Sequence, residues 1–162
     1  MAERVNAALV QLVILALWLG AAAFFSFVVA PALFATLPSR TLAGLVVGRA
    51  LPVVFYLGML AGAIVVVLQT TGGRSGIRDV RALCGCVMVA ACAVAHFIIG
   101  RRIERLRDQI GAPIESLAVD DARRIAFGRL HGFSVGWLGL AMLAAGLALV
   151  MAWRANDPSS AR

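Results

Sequence analysis

The sequence predicts an all-α membrane protein, a four-transmembrane-helix antiparallel bundle forming one domain over residues 1–162. Three observations carry that expectation. Apolar residues make up 62% of the chain and charged residues 14%, against about 45–50% and about 25% in soluble domains. The apolar residues gather into four blocks, each long enough for the ~20-residue helix that crosses a bilayer. No Asp or Glu falls inside any of the blocks. A water-exposed fold would have to display a shell of Leu, Val and Ala, so lipid is the solvent for most of this chain.

The first block runs from Ala7 to Leu37, interrupted only by Gln11, Ser26, Pro31 and Thr36. It is longer than one crossing needs, so the span is placed at 8–30, with Pro31 bending or ending the helix. A cleaved signal peptide is the competing reading, since Ala21 to Ala23 resemble a small-residue cleavage site. Against it, Phe24 to Ala30 continue apolar without pause, and the flank offers only Arg4 beside Glu3. Pro38, Ser39 and Arg40 make a polar break, and Thr41 to Ala50 read as an amphipathic lead into the second span at 51–69, with Arg49 at its mouth. TTGGRSGIR, from Thr70 to Arg78, is a Gly-rich turn that returns the chain.

The third span, 80–100, holds Cys84, Cys86, Cys92 and His96. Cysteines two apart on a helix point in different directions, which argues against a disulfide framework and for small packing residues. A copper(I) thiolate site would want a second sulfur-rich segment. Residues 101–128 form the polar amphipathic loop segment, beginning RRIERLRD. Ile103, Leu106 and Ile110 recur at helical spacing, so the third helix continues past the bilayer until Gly111 and Pro113 break it. Asp120 or Asp121 then caps a helix whose Ile125, Phe127 and Leu130 lead into the fourth span, 133–153. A short polar tail follows.

The net charge is +7, and all fifteen basic residues are Arg. They lie between the apolar blocks instead of forming one stripe, so they flank helices and snorkel to the headgroups of membrane lipids. Nucleic-acid binding, which needs a clustered basic surface, is not expected. Orientation stays open. Arg4, Arg74, Arg78, Arg81, Arg154 and Arg162 fall on one side, and Arg40, Arg49 and the seven arginines between Arg101 and Arg129 on the other. The positive-inside rule leans slightly toward both termini outside.

Antiparallel spans bring the end of helix one, the start of two, the end of three and the start of four to one side. Arg49, Tyr56, His96, Arg129, His131 and Ser134 gather there as a candidate polar site, while the other side carries turns and termini. His96 and His131 are the only histidines, and ionisable residues in membrane helices are costly enough to suggest a role. Haem b or a metal ion on these two imidazoles is one alternative, and a proton relay another. The plainer reading is that an interfacial imidazole or guanidinium meets phosphate, water or a backbone carbonyl. No cofactor is predicted. GxxxG pairs occur at Gly44/Gly48, Gly58/Gly62 and Gly132/Gly136. Gly58, Gly62, Gly132 and Gly136 are assigned to packing inside the bundle, with a homo-oligomer left open. Tyr56 and Trp153 suit an aromatic belt, whereas Trp18 and Trp137 lie deeper, where an indole N–H needs a partner. No nucleophile with a base, no phosphate-cradling loop and no CxxC pair is present, so an enzyme is not the expectation and catalytic residues are unknown.

Three stretches resemble one known family. WLGAAAFFSFVVAPALFATLP (Trp18 to Pro38), AGLVVGRALPVVFY (Ala43 to Tyr56) and FGRLHGFSVGWLGL (Phe127 to Leu140) are similar to the transmembrane protein 205-like family, a membrane domain of undescribed biochemistry. The matching positions are Trp18, Gly20, Ala30, Pro31, Leu33, Phe34, Ala43, Gly44, Pro52 and Tyr56, then Leu130, His131 and Ser134. Two departures stand out: Leu51 precedes Pro52 where an aromatic is common, and His96 replaces an expected amide. The resemblance implies a four-helix membrane domain and supplies no substrate or catalytic residue. The functional expectation is thus a multi-pass protein of the bacterial inner membrane, acting as a small transport, permeation or membrane-assembly component. The alternatives are a haem- or metal-binding redox protein using His131 and His96, and a structural or interaction protein.

Overall fold

The computed structural model describes residues 2–71 and 80–156. Residues 72–78 of the expected turn and the last residues of the tail lie outside them. Four long helices account for most of what is described. Helix α1 runs Ala2–Phe24, passes through a π-helical stretch at Phe25–Val29 and resumes at Ala30–Thr36; α2 is Arg40–Thr71. Helix α3 comprises Val80–Ala93, a second π-helical stretch at Val94–Gly100 and Arg101–Ile110; a 3₁₀ turn at Ile114–Ser116 precedes α4, Ala122–Asn156.

Each helix is long and apolar enough to cross a membrane, over Ala7–Thr36, Arg40–Thr70, Val80–Ile110 and Ala122–Arg154. At 1.5 Å per residue such helices reach roughly 45 Å, against ~30 Å of hydrocarbon. The surplus carries charge at one end: Arg40 to Arg49 of α2, Arg101 to Ile110 of α3 and Ala122 to His131 of α4. Together they make a polar layer beyond the apolar stretch. Of segment 101–128, residues 101–110 extend α3 and residues 122–128 open α4, which leaves only 111–121 as the connection.

Local chemistry sets the helix ends. Ser39 accepts from the Leu42 N–H at 3.1 Å and so caps α2. Gly111 closes α3 with φ 62°, the left-handed conformation for which glycine has no Cβ penalty. Asp121 caps α4, its carboxylate accepting from the Arg123 N–H at 2.8 Å. The π-helical stretch in α1 has an identifiable cause. A proline ring at position 31 would clash with the carbonyl four residues back in a regular α-helix, and the widened turn, in which the Ala30 N–H bonds to the Phe25 carbonyl, relieves it.

Helix α1 packs on α2 and α4, α2 on α3, and α3 on α4, so sequence neighbours are spatial neighbours around a closed ring. The centre is solid. Leu15, Val65, Met88 and Cys92 are fully buried, with Ala22, Ala91, Ala95, Ala141, Ala145 and Ala148 between them. In lipid the hydrophobic effect does not drive helices together, and close van der Waals packing of small residues takes its place. Gly58 is one such point: a Cβ there would lie 2.7 Å from the Cys92 sulfur and 2.8 Å from the Trp18 ring. The indole of Trp18 thus lies against α2 and donates to the Val54 carbonyl at 2.9 Å. Leu17, Phe27 and Leu143 point outward, where lipid meets them.

Candidate functional site

The structure joins two of the six candidate residues directly. His96 Nε2 lies 2.9 Å from the Tyr56 hydroxyl, linking α3 to α2. The imidazole sits edge-on to the Tyr56 ring at 4.7 Å and to Phe97 at 4.7 Å, with Phe55 tilted beside it at 6.3 Å. The second π-helical stretch contains both His96 and Phe97, and such widened turns recur at functional sites because they re-aim side chains. Arg101 lies over the Phe97 ring at 5.7 Å. The pair sits at the outer surface, with Tyr56 51% exposed, His96 half-buried and the neighbouring Phe97 40% exposed. His96 is five residues from Arg101, about 7 Å inside the charged layer at helical rise.

His131 stands elsewhere. It is exposed and parallel to the Phe127 ring, centroids 6.5 Å apart, one helical turn away on α4. No hydrogen bond or ring contact among the described residues joins it to His96. Nor, among those residues, does any group of three or more His, Cys, Asp or Glu converge in a metal-binding arrangement. Arg49 and Arg129 are exposed and Ser134 is buried.

The polar layer has its own architecture, centred on residues that hydropathy does not single out. Glu115 reaches the start of α2, where its carboxylate accepts from the Thr41 N–H at 3.3 Å and the Thr41 hydroxyl at 2.6 Å. The Thr41 bond leads in holding the Glu115 carboxyl below its ordinary range. Arg123 donates to Asp121 through Nε and Nη2, at 3.1 and 2.8 Å, and lowers that carboxyl to about 2. Arg124 donates to the Leu117 carbonyl at 2.8 Å, fastening the connection to α4. Arg107 is turned inward over Phe127, its guanidinium carbon 5.3 Å from the ring centroid.

Of the packing glycines, Gly58 is filled by Trp18 and Cys92, and Gly62 by the backbone of Gly85. Gly132 and Gly136 are exposed, and a Cβ on either would meet nothing within 4 Å. With Phe133, Trp137 and Leu140 they line a shallow open groove on α4.

The far end of the bundle is not only turns and termini. Gln69 Nε2 donates to Gln11 Oε1 at 3.1 Å, and both side chains are buried. Arg81, at the start of α3, is buried as well. The available signal was the pair of amides inside apolar blocks, one per helix at matching depth, since an amide in lipid has to find a partner on another helix. Ser26, within the first π-helical stretch, is the one buried side-chain oxygen without a hydrogen bond among the described residues.

A family model described as a domain of unknown function (DUF4149) matches residues 13–112, which include Tyr56, His96 and Arg107. Neither a curated protein nor a solved structure matches.

Proposed function

The chain belongs to the DUF4149 family of domains of unknown function, and on that premise we propose that it is a self-associating assembly component of the bacterial inner membrane. In this reading the Tyr56–His96 pair forms the seam between copies. The transmembrane protein 205-like resemblance of the first, second and fourth helices belongs to the same reading, because it too describes a bare four-helix membrane domain. Among the transport, permeation and assembly roles, assembly is favoured by the solid centre around Leu15, Val65, Met88 and Cys92.

One observation carries the proposal: a hydrogen-bonded polar pair lies on the outside of the bundle at membrane depth. Polar side chains in membrane helices ordinarily face protein or a water-filled cavity. A neutral imidazole and a phenol hold one N–H and one O–H between them. If the phenol donates to Nε2, the Nδ1–H is left over; if Nε2–H donates, the phenol O–H is left over. Either way the pair keeps one donor and one acceptor, which makes it self-complementary about a twofold axis. A second copy presenting the same pair satisfies both.

Co-purification of two differently tagged copies from one membrane tests this, with a benzophenone side chain at Phe97 to capture the neighbour. The expected result is an adduct at twice the chain mass. His96→Phe and Tyr56→Phe should each weaken association about tenfold, from two symmetry-related hydrogen bonds of roughly 0.6 kcal/mol each. The same probe at Leu143, outward on α4, should capture no second copy. Capture of lipid alone from position 97, or unchanged association in both variants, overturns the proposal.

A further inference from the structure

Four arginines follow the last apolar turn of α3, and one of them behaves differently. Arg101, Arg102 and Arg105 are exposed, whereas Arg107 is half-buried and turned back between α2 and α4. Its floor is bare backbone. A Cβ on Gly44 would lie 2.9 Å from its Nη2, and one on Gly48 would lie 3.5 Å from its Nη1. The Gly44/Gly48 pair therefore makes room for a guanidinium instead of a neighbouring helix. Phe127 covers the group from α4, and His131 stands one turn further along that helix.

A guanidinium carries five N–H donors. Among the described residues Arg107 has an aromatic face and the attraction of Glu104 on its own helix, but no hydrogen bond and no ion pair. Of the acids in the neighbouring connection, Glu115 is engaged by Thr41 and Asp121 by Arg123, while Asp120 is exposed and makes no contact with Arg107 among the described residues. The layer as a whole is cationic. Arg40, Arg49, Arg101, Arg102, Arg105, Arg107, Arg123, Arg124 and Arg129 stand against Glu104, Asp108, Glu115, Asp120 and Asp121. A half-buried, fork-shaped cation with no hydrogen bond among the described residues, lying against two glycines and a ring, is matched by a tetrahedral oxyanion that accepts two parallel N–H bonds.

We propose that the cradle of Arg107, Gly44, Gly48 and Phe127 is a phosphate-binding site. The layer lies just beyond the apolar stretch of the helices, at the depth of lipid headgroups, so the phosphate comes from an anionic phospholipid or from solution.

Protection of Arg107 from phenylglyoxal, read by peptide mass spectrometry on the delipidated full chain in a sugar-based detergent, tests the site without a substitution. Inorganic phosphate and phosphatidylglycerol nanodiscs are the two arms. Protection by inorganic phosphate assigns a soluble anion; protection only in the nanodiscs assigns a lipid phosphate. Modification of Arg107 at the same rate in both arms as in detergent alone overturns the proposal.

Binding measured by native mass spectrometry adds the variants. Arg107→Gln should reduce phosphate or phosphatidylglycerol retention at least tenfold, whereas Arg105→Gln, with the same loss of charge at an exposed position, should leave it within twofold. Gly44→Ala keeps the arginine but displaces its flexible end, and should weaken retention with the fold intact. Equal losses from Arg105→Gln and Arg107→Gln would reduce the effect to general surface charge and overturn the site.

Discussion

Gly62 and Gly85 bring α2 and α3 so close that a Cβ on Gly62 would lie 2.7 Å from the Gly85 carbonyl oxygen, and one on Gly85 would lie 2.8 Å from the Gly62 carbonyl oxygen. The obstruction is backbone on both sides, so neither helix can yield by a rotamer change. This contact sets the spacing of the two helices that present Tyr56 and His96.

Gly85→Ala should accordingly destabilise the bundle by about 1–3 kcal/mol, the usual cost of overpacking a close contact. Gly132→Ala is the matched comparison. A Cβ there meets open space, and helix propensity favours Ala over Gly by up to about 1 kcal/mol. Reversible unfolding in mixed micelles should therefore move in opposite directions for the two variants. Equal effects would mean that the α2–α3 spacing is looser than the glycine contact implies.

The buried Gln11–Gln69 bond is an interhelical polar contact at the end of the bundle away from Arg107. Gln11→Leu alone removes the bond that the Gln69 amide makes across to α1, at about 1–3 kcal/mol. Gln11→Leu combined with Gln69→Leu should cost less than the sum of the two single changes. A coupling of roughly 0.6 kcal/mol is the scale for such bonds in membrane bundles. A double-mutant cycle with no coupling would show that each amide draws its stability from other neighbours.

Acid should loosen the polar layer in two overlapping steps. The Glu115 carboxyl is lowered by its bond from Thr41, and the Asp121 carboxyl is lowered to about 2 by its bond from Arg123. A group whose folded pKa is depressed contributes stability that is complete above its unfolded pKa and is lost as pH falls through the folded one. The window therefore opens near the ordinary values of 4.5 for Glu115 and 3.8 for Asp121, and extends down toward about 2. Protection of the Thr41 to Gly44 amides from hydrogen exchange, taken against the intrinsic rate at each pH, should fall across that range in the wild type. Glu115→Gln should remove the pH dependence there while leaving the Asp121 step at the start of α4. Unchanged acid sensitivity in Glu115→Gln would assign the effect to another group.

Much of the architecture is written in the chain because membrane helices are specified locally. Apolar runs of crossing length, a glycine at 111 that alone accepts φ 62°, and an aspartate at 121 able to cap its own helix are properties of short segments. They need no knowledge of the rest of the fold. The polar layer was legible as a location for the same reason, since arginines can end an apolar stretch but rarely sit within one. Its internal pairing was not. Arg105 and Arg107 are alike in chemistry and two positions apart, yet one is exposed and the other enters the bundle, because the two positions lie on different faces of α3.

The sequence by itself determined the fold class, the four apolar helices, and the glycine and aspartate that end the third helix and start the fourth. Hydropathy and backbone preference act over a few residues, so they can be read in order along the chain. Only the tertiary structure decided which partners meet. It set His96 against Tyr56 and His131 against Phe127, it filled Gly58 with Trp18 and Cys92 while leaving Gly132 and Gly136 open, and it aimed Arg107 at Gly44 and Gly48. The physical reason is rotation. A helix of known length can present any face to its neighbours, and its angle is fixed by contacts between residues distant in sequence, with two π-helical stretches shifting that angle part-way along.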